Sequence, residues 1–289
     1  MPPKVCAPWP RSDRRDLRGR PYLSVSRTCT AASLRVPAHE ATLKTPLTRA
    51  QTESSARTSA VAKQSDLLKP TQLDFVQAAS IPMVGLTSWQ ALKERAHVKR
   101  GQKVFIPAGA GGIGTFAIQL AKHLGATVGT TVSVGKVELV RSLGADEVID
   151  YQQQQFEDVL RAYDLVLGTV RGDSVANSLQ ILKPKSIVVS LVGPPDAAFG
   201  RSKGMNRFMV FVLGLLSRKM NRLAKNRGVE YSFLFVHPDG RQLAEIGELL
   251  KRGSIRPVID EVFPFDQAKE ALAYLEKGRA KGKVVVQIK

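Results

Sequence analysis

Residues 107–115 read PAGAGGIGT and hold the spacing Gly109-x-Gly111-x-x-Gly114. Before them, VFIPAG (104–109) has the composition of a buried strand. After them, Ile113, Phe116, Ala117, Leu120, Ala121 and Leu124 recur at helical spacing, and Gly125 follows as a terminator. A strand, a tight turn and a helix in that order predict the first half of a βαβ unit. The pattern then repeats. ATVGTTV (126–132), EVIDY (147–151), YDLVLGTV (163–170) and SIVVSLVG (186–193) read as further strands, with helical segments between them. The helix VELVRSLG is stopped by Gly144. This alternation predicts an α/β fold with a Rossmann-type, doubly wound parallel sheet.

Glycines at this spacing serve either a dinucleotide or merely a tight turn. In the first case Gly109 and Gly111 let the backbone approach a pyrophosphate, and Gly114 lets helix and strand pack closely. The N–H groups of Gly112 and Ile113 would then face the anion at the positive end of the helix. The end of the second strand chooses between dinucleotides. A carboxylate there holds a ribose 2′-hydroxyl, but this chain has Thr130, Thr131, Val132 and Ser133, then Lys136. A hydroxyl and an ammonium suit a 2′-phosphate, so NADP(H) is favoured over NAD(H). Lys136 as an ordinary solvated residue remains the alternative.

Charge excludes less than it suggests. The formal net charge is +18, but residues 1–58 carry eleven Lys and Arg against four Asp and Glu, and a second basic cluster lies at 201–227. Neither interleaves aromatics with cations as a nucleic-acid groove would, so no nucleic-acid partner is expected. Cys6 and Cys29 and the scattered His39, His97, His123 and His237 lack zinc spacing, so no metal is expected. The longest apolar run, FMVFVLGLL (208–216), is too short to span a bilayer. No Ser/His/Asp arrangement or Tyr-x-x-x-Lys pair is present, and no catalytic side chain can be named. Residues 1–58, rich in Arg, Ser, Thr, Ala and Pro, read as disordered. They suit a non-native start or, less well, a mitochondrial transit peptide; the cytoplasm is the expected location. Residues 74–95 read as two short helices broken near Pro82 and Gly85.

Four stretches carry a resemblance: SIPMVGLTSWQAL (80–92), VKRGQKVFIPAGAGGIGTFAIQLAKHLGA (98–126), VELVRSLGADEVIDY (137–151) and RPVIDEVFPFDQAKEALAYLEKGRAKGKVVVQI (256–288). Through them residues 60–289 resemble the zinc-independent medium-chain dehydrogenase/reductases, in the NADP-dependent, quinone-oxidoreductase-like (alcohol dehydrogenase-like) branch. The resemblance implies segment 1–58 outside the fold and a linker with helices at 59–98 leading from a truncated GroES-like β domain. It implies an NADP-binding domain at 99–255 and return strands with a helix at 256–289. Strands 257–264 and 283–288 would return to the β domain, most of which has no counterpart in 1–58, and are expected to lack partners.

The resemblance also implies cofactor contacts. Ala110, Gly111, Gly112, Ile113 and Gly114 match the pyrophosphate loop, Ser133 and Lys136 the 2′-phosphate position, and Tyr151 an adenosine-side contact. Leu191, Val192 and Gly193 match the turn beside the nicotinamide. Phe233, Leu234 and Phe235, in YSFLFV, match a segment near its ribose, with core packing the competing reading for the two phenylalanines. The implied reaction is hydride transfer from NADPH to a quinone or an α,β-unsaturated carbonyl. A protein that binds NADPH but turns over poorly is the alternative. A homodimer through the sixth-strand edge is implied as well. Segment 200–228 reads as an amphipathic helix: a lid, a membrane contact or an ordinary packed helix.

Overall fold

A computed structural model describes residues 71–288. The expectations for residues 1–58, Cys6, Cys29 and His39 fall outside them.

The centre of the molecule is a six-stranded sheet. Its strands are β1 (Lys103–Ile106), β2 (Thr127–Val132), β3 (Glu147–Asp150), β4 (Tyr163–Gly168), β5 (Leu182–Ser190) and β6 (Glu230–Phe233). The order across the sheet is β3-β2-β1-β4-β5-β6, and every pairing is parallel. Parallel strands need crossovers, and the crossovers cover both faces. Alternation along the central strands divides the core accordingly. Val104, Ile106, Leu165, Leu167 and Val189 join one apolar cluster. Phe105, Val166 and Val188 join the other. That is the two-residue period of a sheet buried on both sides.

Helix α3 (Gly112–His123) crosses from β1 to β2, and α4 (Val137–Ser142) from β2 to β3. Each ends on a glycine in the left-handed region, Gly125 at φ +80° and Gly144 at φ +103°, where a side chain would strain the chain. The short helices α5 (Phe156–Val159) and α6 (Ser174–Ser178) precede and follow β4. Between β5 and β6 run α7 (Ala197–Ser202) and the long α8 (Arg207–Asn226). After β6 comes α9 (Gly240–Lys251).

The N-terminal helices are α1 (Phe75–Ser80) and α2 (Pro82–Trp89). Asp74 and Gln77 close a capping box on α1. Pro82 opens α2, where its missing N–H is harmless. Gly85 does not break the chain: it sits inside α2, and a side chain there would press on Ile246 of α9 at 3.3 Å. The chain continues as a π-helical turn, Gln90–Arg95. Buried Gln90 joins α2 to the loop after β6, donating to the His237 carbonyl at 2.8 Å and accepting from the His237 N–H at 3.1 Å.

The C-terminal strands find a partner in each other. β7 (Ile259–Pro264) and β8 (Lys283–Gln287) pair in parallel, joined by α10 (Ala268–Glu276). The expectation that these strands lack partners is corrected to that extent: a right-sized helical crossover lets them form a sheet of their own.

Candidate functional site at the C-terminal ends of the strands

The strand order reverses at β1, so the crevice beyond the carboxyl ends of β1 and β4 is the topological switch point. PAGAGGIGT lies there. Ala108 adopts φ +55°, unusual for alanine, and its N–H is held by the Thr131 hydroxyl at 3.1 Å. The Gly109 N–H donates to the Thr131 carbonyl at 3.1 Å, and the Gly111 N–H to the Ala108 carbonyl at 3.0 Å. Thr130, fully buried, donates its hydroxyl to the Ile106 carbonyl at 2.6 Å. The two threonines therefore brace the loop from the neighbouring strand.

The glycines are required by contact. A Cβ on Gly109 would lie 2.1 Å from the Thr130 hydroxyl, and one on Gly114 2.6 Å from the Ala108 carbonyl and the Gly109 Cα. Helix and strand thus approach closer than any side chain permits. Gly111 is the N-cap of α3, and no side chain caps the helix. An uncapped helix start keeps first-turn N–H groups and the positive end of the helix for another acceptor, which is the arrangement that holds an anion. Such a helix start, drawn against the strand end by two glycines that leave no room for a Cβ, fits a dinucleotide pyrophosphate.

Ala110 is buried in this turn, and Gly112 and Ile113 are half-buried at its rim. Ser133 follows β2, and its carbonyl accepts the Lys136 N–H at 2.9 Å. Tyr151 follows β3 and is exposed, its N–H on the Val132 carbonyl at 3.2 Å. Ser133, Lys136 and Tyr151 therefore gather at the ends of β2 and β3. On the other side of the switch point, Ser190 pairs with Phe233 across β5 and β6. Leu191 donates its N–H to the Gly168 carbonyl at 2.9 Å, and Gly193 its N–H to the Ser190 hydroxyl at 2.8 Å. Val192 is half-buried between them.

Leu234 and Phe233 are core residues; Phe233 packs edge-on against Phe199, with ring centroids 5.2 Å apart. Phe235 points out and is 61% exposed. Buried Asp196 supports this corner by accepting the Phe199 N–H at 2.7 Å. Burial pushes the Tyr231 hydroxyl up to about 12, so it stays protonated and donates to the Pro194 carbonyl at 2.9 Å.

One part of the rim was not foreseen. The Gly282 N–H donates to the Ala110 carbonyl at 2.8 Å, and Gly282 bridges Gly111. Lys136 donates from Nζ to the Ala280 carbonyl at 3.2 Å. Burial lowers its pKa, partly offset by the Asp260 carboxylate and reinforced by Lys281. Segment 280–283 thus borders both the glycine loop and Lys136, although it lies far away in sequence. Its glycine-flanked basic run, KGRAKGK, was the available signal. A small cleft beside Gly112, lined in part by Ser80, Thr115, Arg256 and Lys283, is far too small for a dinucleotide. Such a ligand has to lie along the strand ends. Among the described residues, no group of three or more His, Cys, Asp or Glu could hold a metal ion.

The sequence model of a family described as "Zinc-binding dehydrogenase" matches residues 143–286, and that of the "Alanine dehydrogenase/PNT, C-terminal domain" matches residues 93–191. The zinc of the first description finds no fitting ligand set among the described residues. The chain is 37% identical over 232 residues to "NAD(P)H oxidoreductase RTN4IP1, mitochondrial" of Danio rerio, covering 76% of this chain and 59% of that protein. It is 34% identical to "2-methylene-furan-3-one reductase" of Solanum lycopersicum, covering 86% of this chain and 55% of that protein. The solved quinone oxidoreductase from Coxiella burnetii superposes with a TM-score of 0.66 at 31% identity, covering 77% of this chain and 64% of that one. The chain therefore spans between half and two thirds of these relatives. With the sheet order, the glycine cradle and these likenesses together, the chain belongs to the medium-chain dehydrogenase/reductase family, in its quinone-oxidoreductase-like branch.

Proposed function

We propose that the protein is an NADPH-dependent oxidoreductase acting on a quinone or an α,β-unsaturated carbonyl. The observation that carries this reading is the glycine cradle at the head of an uncapped α3 at the switch point. The names of the relatives, an NAD(P)H oxidoreductase and a 2-methylene-furan-3-one reductase, support the reaction class. When bound, the cofactor supplies the hydride.

The chain's own residues bind and orient. Ala110, Gly111, Gly112, Ile113 and Gly114 form the loop that borders the pyrophosphate, and the N–H groups of Gly112 and Ile113 receive it. Ser133 and Lys136 receive the 2′-phosphate, which requires Lys136 to exchange the Ala280 carbonyl for the anion. Tyr151 borders the adenosine. Leu191, Val192 and Gly193 border the nicotinamide half with Phe235, while Phe233 and Leu234 support that border from the core. No side-chain acid or nucleophile is assigned a part.

A second reading is NADPH binding with poor turnover: the candidate residues at the strand ends border the cofactor, and none of them borders the acceptor. Location follows the same logic. The sequence favours the cytoplasm, while the mitochondrial name of the Danio rerio relative supports a mitochondrial destination. β6 lies at the edge of the sheet, which supports a homodimer formed by edge pairing.

The test is a fluorescence titration of the full chain with NADPH and, in parallel, NADH, followed by addition of a small quinone or an enone. Tight NADPH binding with oxidation of the cofactor supports the enzyme. Binding without oxidation supports the second reading. Failure of both nucleotides to bind overturns both.

A further inference from the structure

Helix α8 presents a surface that the proposed chemistry does not use. Its buried residues are Leu213, Ser217 and Ala224, which share one stripe. The opposite face is divided lengthwise. In the first half Phe208, Phe211, Leu215 and Leu216 are 73%, 68%, 57% and 61% exposed. In the second half the same outward line continues through Arg218, Arg222 and Lys225, all exposed. From Arg201 to Arg227 there are eight Lys and Arg and no Asp or Glu.

We propose that α8 docks the protein on an anionic phospholipid surface. The apolar half enters among the acyl chains, and the basic half rests on the headgroup phosphates. Four large apolar side chains standing in water call for an apolar medium, and an unopposed run of cations calls for anions. Charge argues against the other occupants available. A second copy would bring the same eight cations face to face with these, and residues 1–58 are themselves basic. Nucleic acid offers phosphate but no apolar interior, and here aromatics and cations occupy separate halves rather than alternating. No helix among the described residues is long and apolar enough to cross a membrane, so the contact is superficial and reversible.

Flotation of the full chain with vesicles tests this. Vesicles of mixed phosphatidylcholine and phosphatidylglycerol should bind it at least about tenfold more strongly than pure phosphatidylcholine, and less in high salt. Phe208→Ser/Phe211→Ser/Leu215→Ser and Arg218→Glu/Arg222→Glu/Lys225→Glu should each reduce that binding about tenfold or more. Thermal melts of both variants check that they fold. Phe211→Trp, which keeps an aromatic in place, should shift its emission to the blue on the mixed vesicles. Three results would overturn the proposal. One is no binding to mixed vesicles. Another is binding that survives both sets of substitutions. The third is a dimer in solution that the serine variant converts to monomer while vesicle binding stays unchanged.

Discussion

α3 and α8 are both crossover helices of one parallel sheet, and they are built on opposite terms. α3 buries eight of its twelve residues, from Gly114 to Ala121. α8 buries three of its twenty. The difference lies in what each helix is adjacent to. α3 lies against β1 so closely that Gly114 has no room for a Cβ, and its N-terminus is thereby aimed at the strand ends. α8 is attached through a single stripe, where Leu213 meets Gly200 of α7, and most of its apolar side chains point outward. Tight packing fixes the position of the α3 N-terminus, the proposed anion site. Loose packing leaves the surface of α8 free for another partner.

The largest expected effect breaks the α3 side. In Gly114→Val the new side chain meets backbone at Ala108 and Gly109, which cannot rotate away. Helix and strand must separate, and the N–H groups move off their target. NADPH affinity should fall roughly a hundredfold, ~2.8 kcal/mol, in a fluorescence titration. Undiminished binding would mean that the loop is a turn and not the site. On α8 the corresponding change is Leu213→Ala. It empties a packed position at the one stripe of attachment and should lower stability by about 2–3 kcal/mol in a denaturant melt.

Much of the α3 side was legible in the sequence because its determinants are local. The strand, the glycine turn, the apolar face of the helix and Gly125 follow one another within about two dozen residues. What was not legible depends on residues far apart in the chain. Nothing near Gly282 announces that its N–H meets Ala110, and nothing near Thr131 shows that its hydroxyl holds Ala108 instead of facing a ribose. Gly85 read as a helix breaker because the packing of Ile246 against it cannot be seen locally. The mutual pairing of β7 and β8 was missed for a related reason: both strands were matched to a third element, and not to each other. On the α8 side the amphipathic pattern was legible, but not which of its apolar residues face the protein.

A smaller effect sharpens the site. Lys136→Ala should weaken NADPH about tenfold, ~1.4 kcal/mol, and leave NADH unchanged. Because burial holds the Lys136 pKa below the ordinary lysine value, its charge is lost as pH rises through that lowered pKa. The preference for NADPH over NADH should therefore shrink on the alkaline side before an exposed lysine would titrate. Equal weakening of both nucleotides would assign Lys136 to supporting the Ala280 segment.

The smallest effect on stability is the most informative about α8. Phe211 is 68% exposed and lies opposite the stripe through Leu213, Ser217 and Ala224. If it serves the fold, Phe211→Ser should cost stability as Leu213→Ala does. If it serves an external partner, the melt should move by no more than about 0.5 kcal/mol, as for a surface position without native contacts. The second outcome is expected, because an aromatic ring that remains mostly in water contributes little burial in the folded state. The same substitution should then weaken vesicle binding while leaving the melt where it was. Residues two positions apart on one helix would in this way separate what holds α8 to the sheet from what it offers outward.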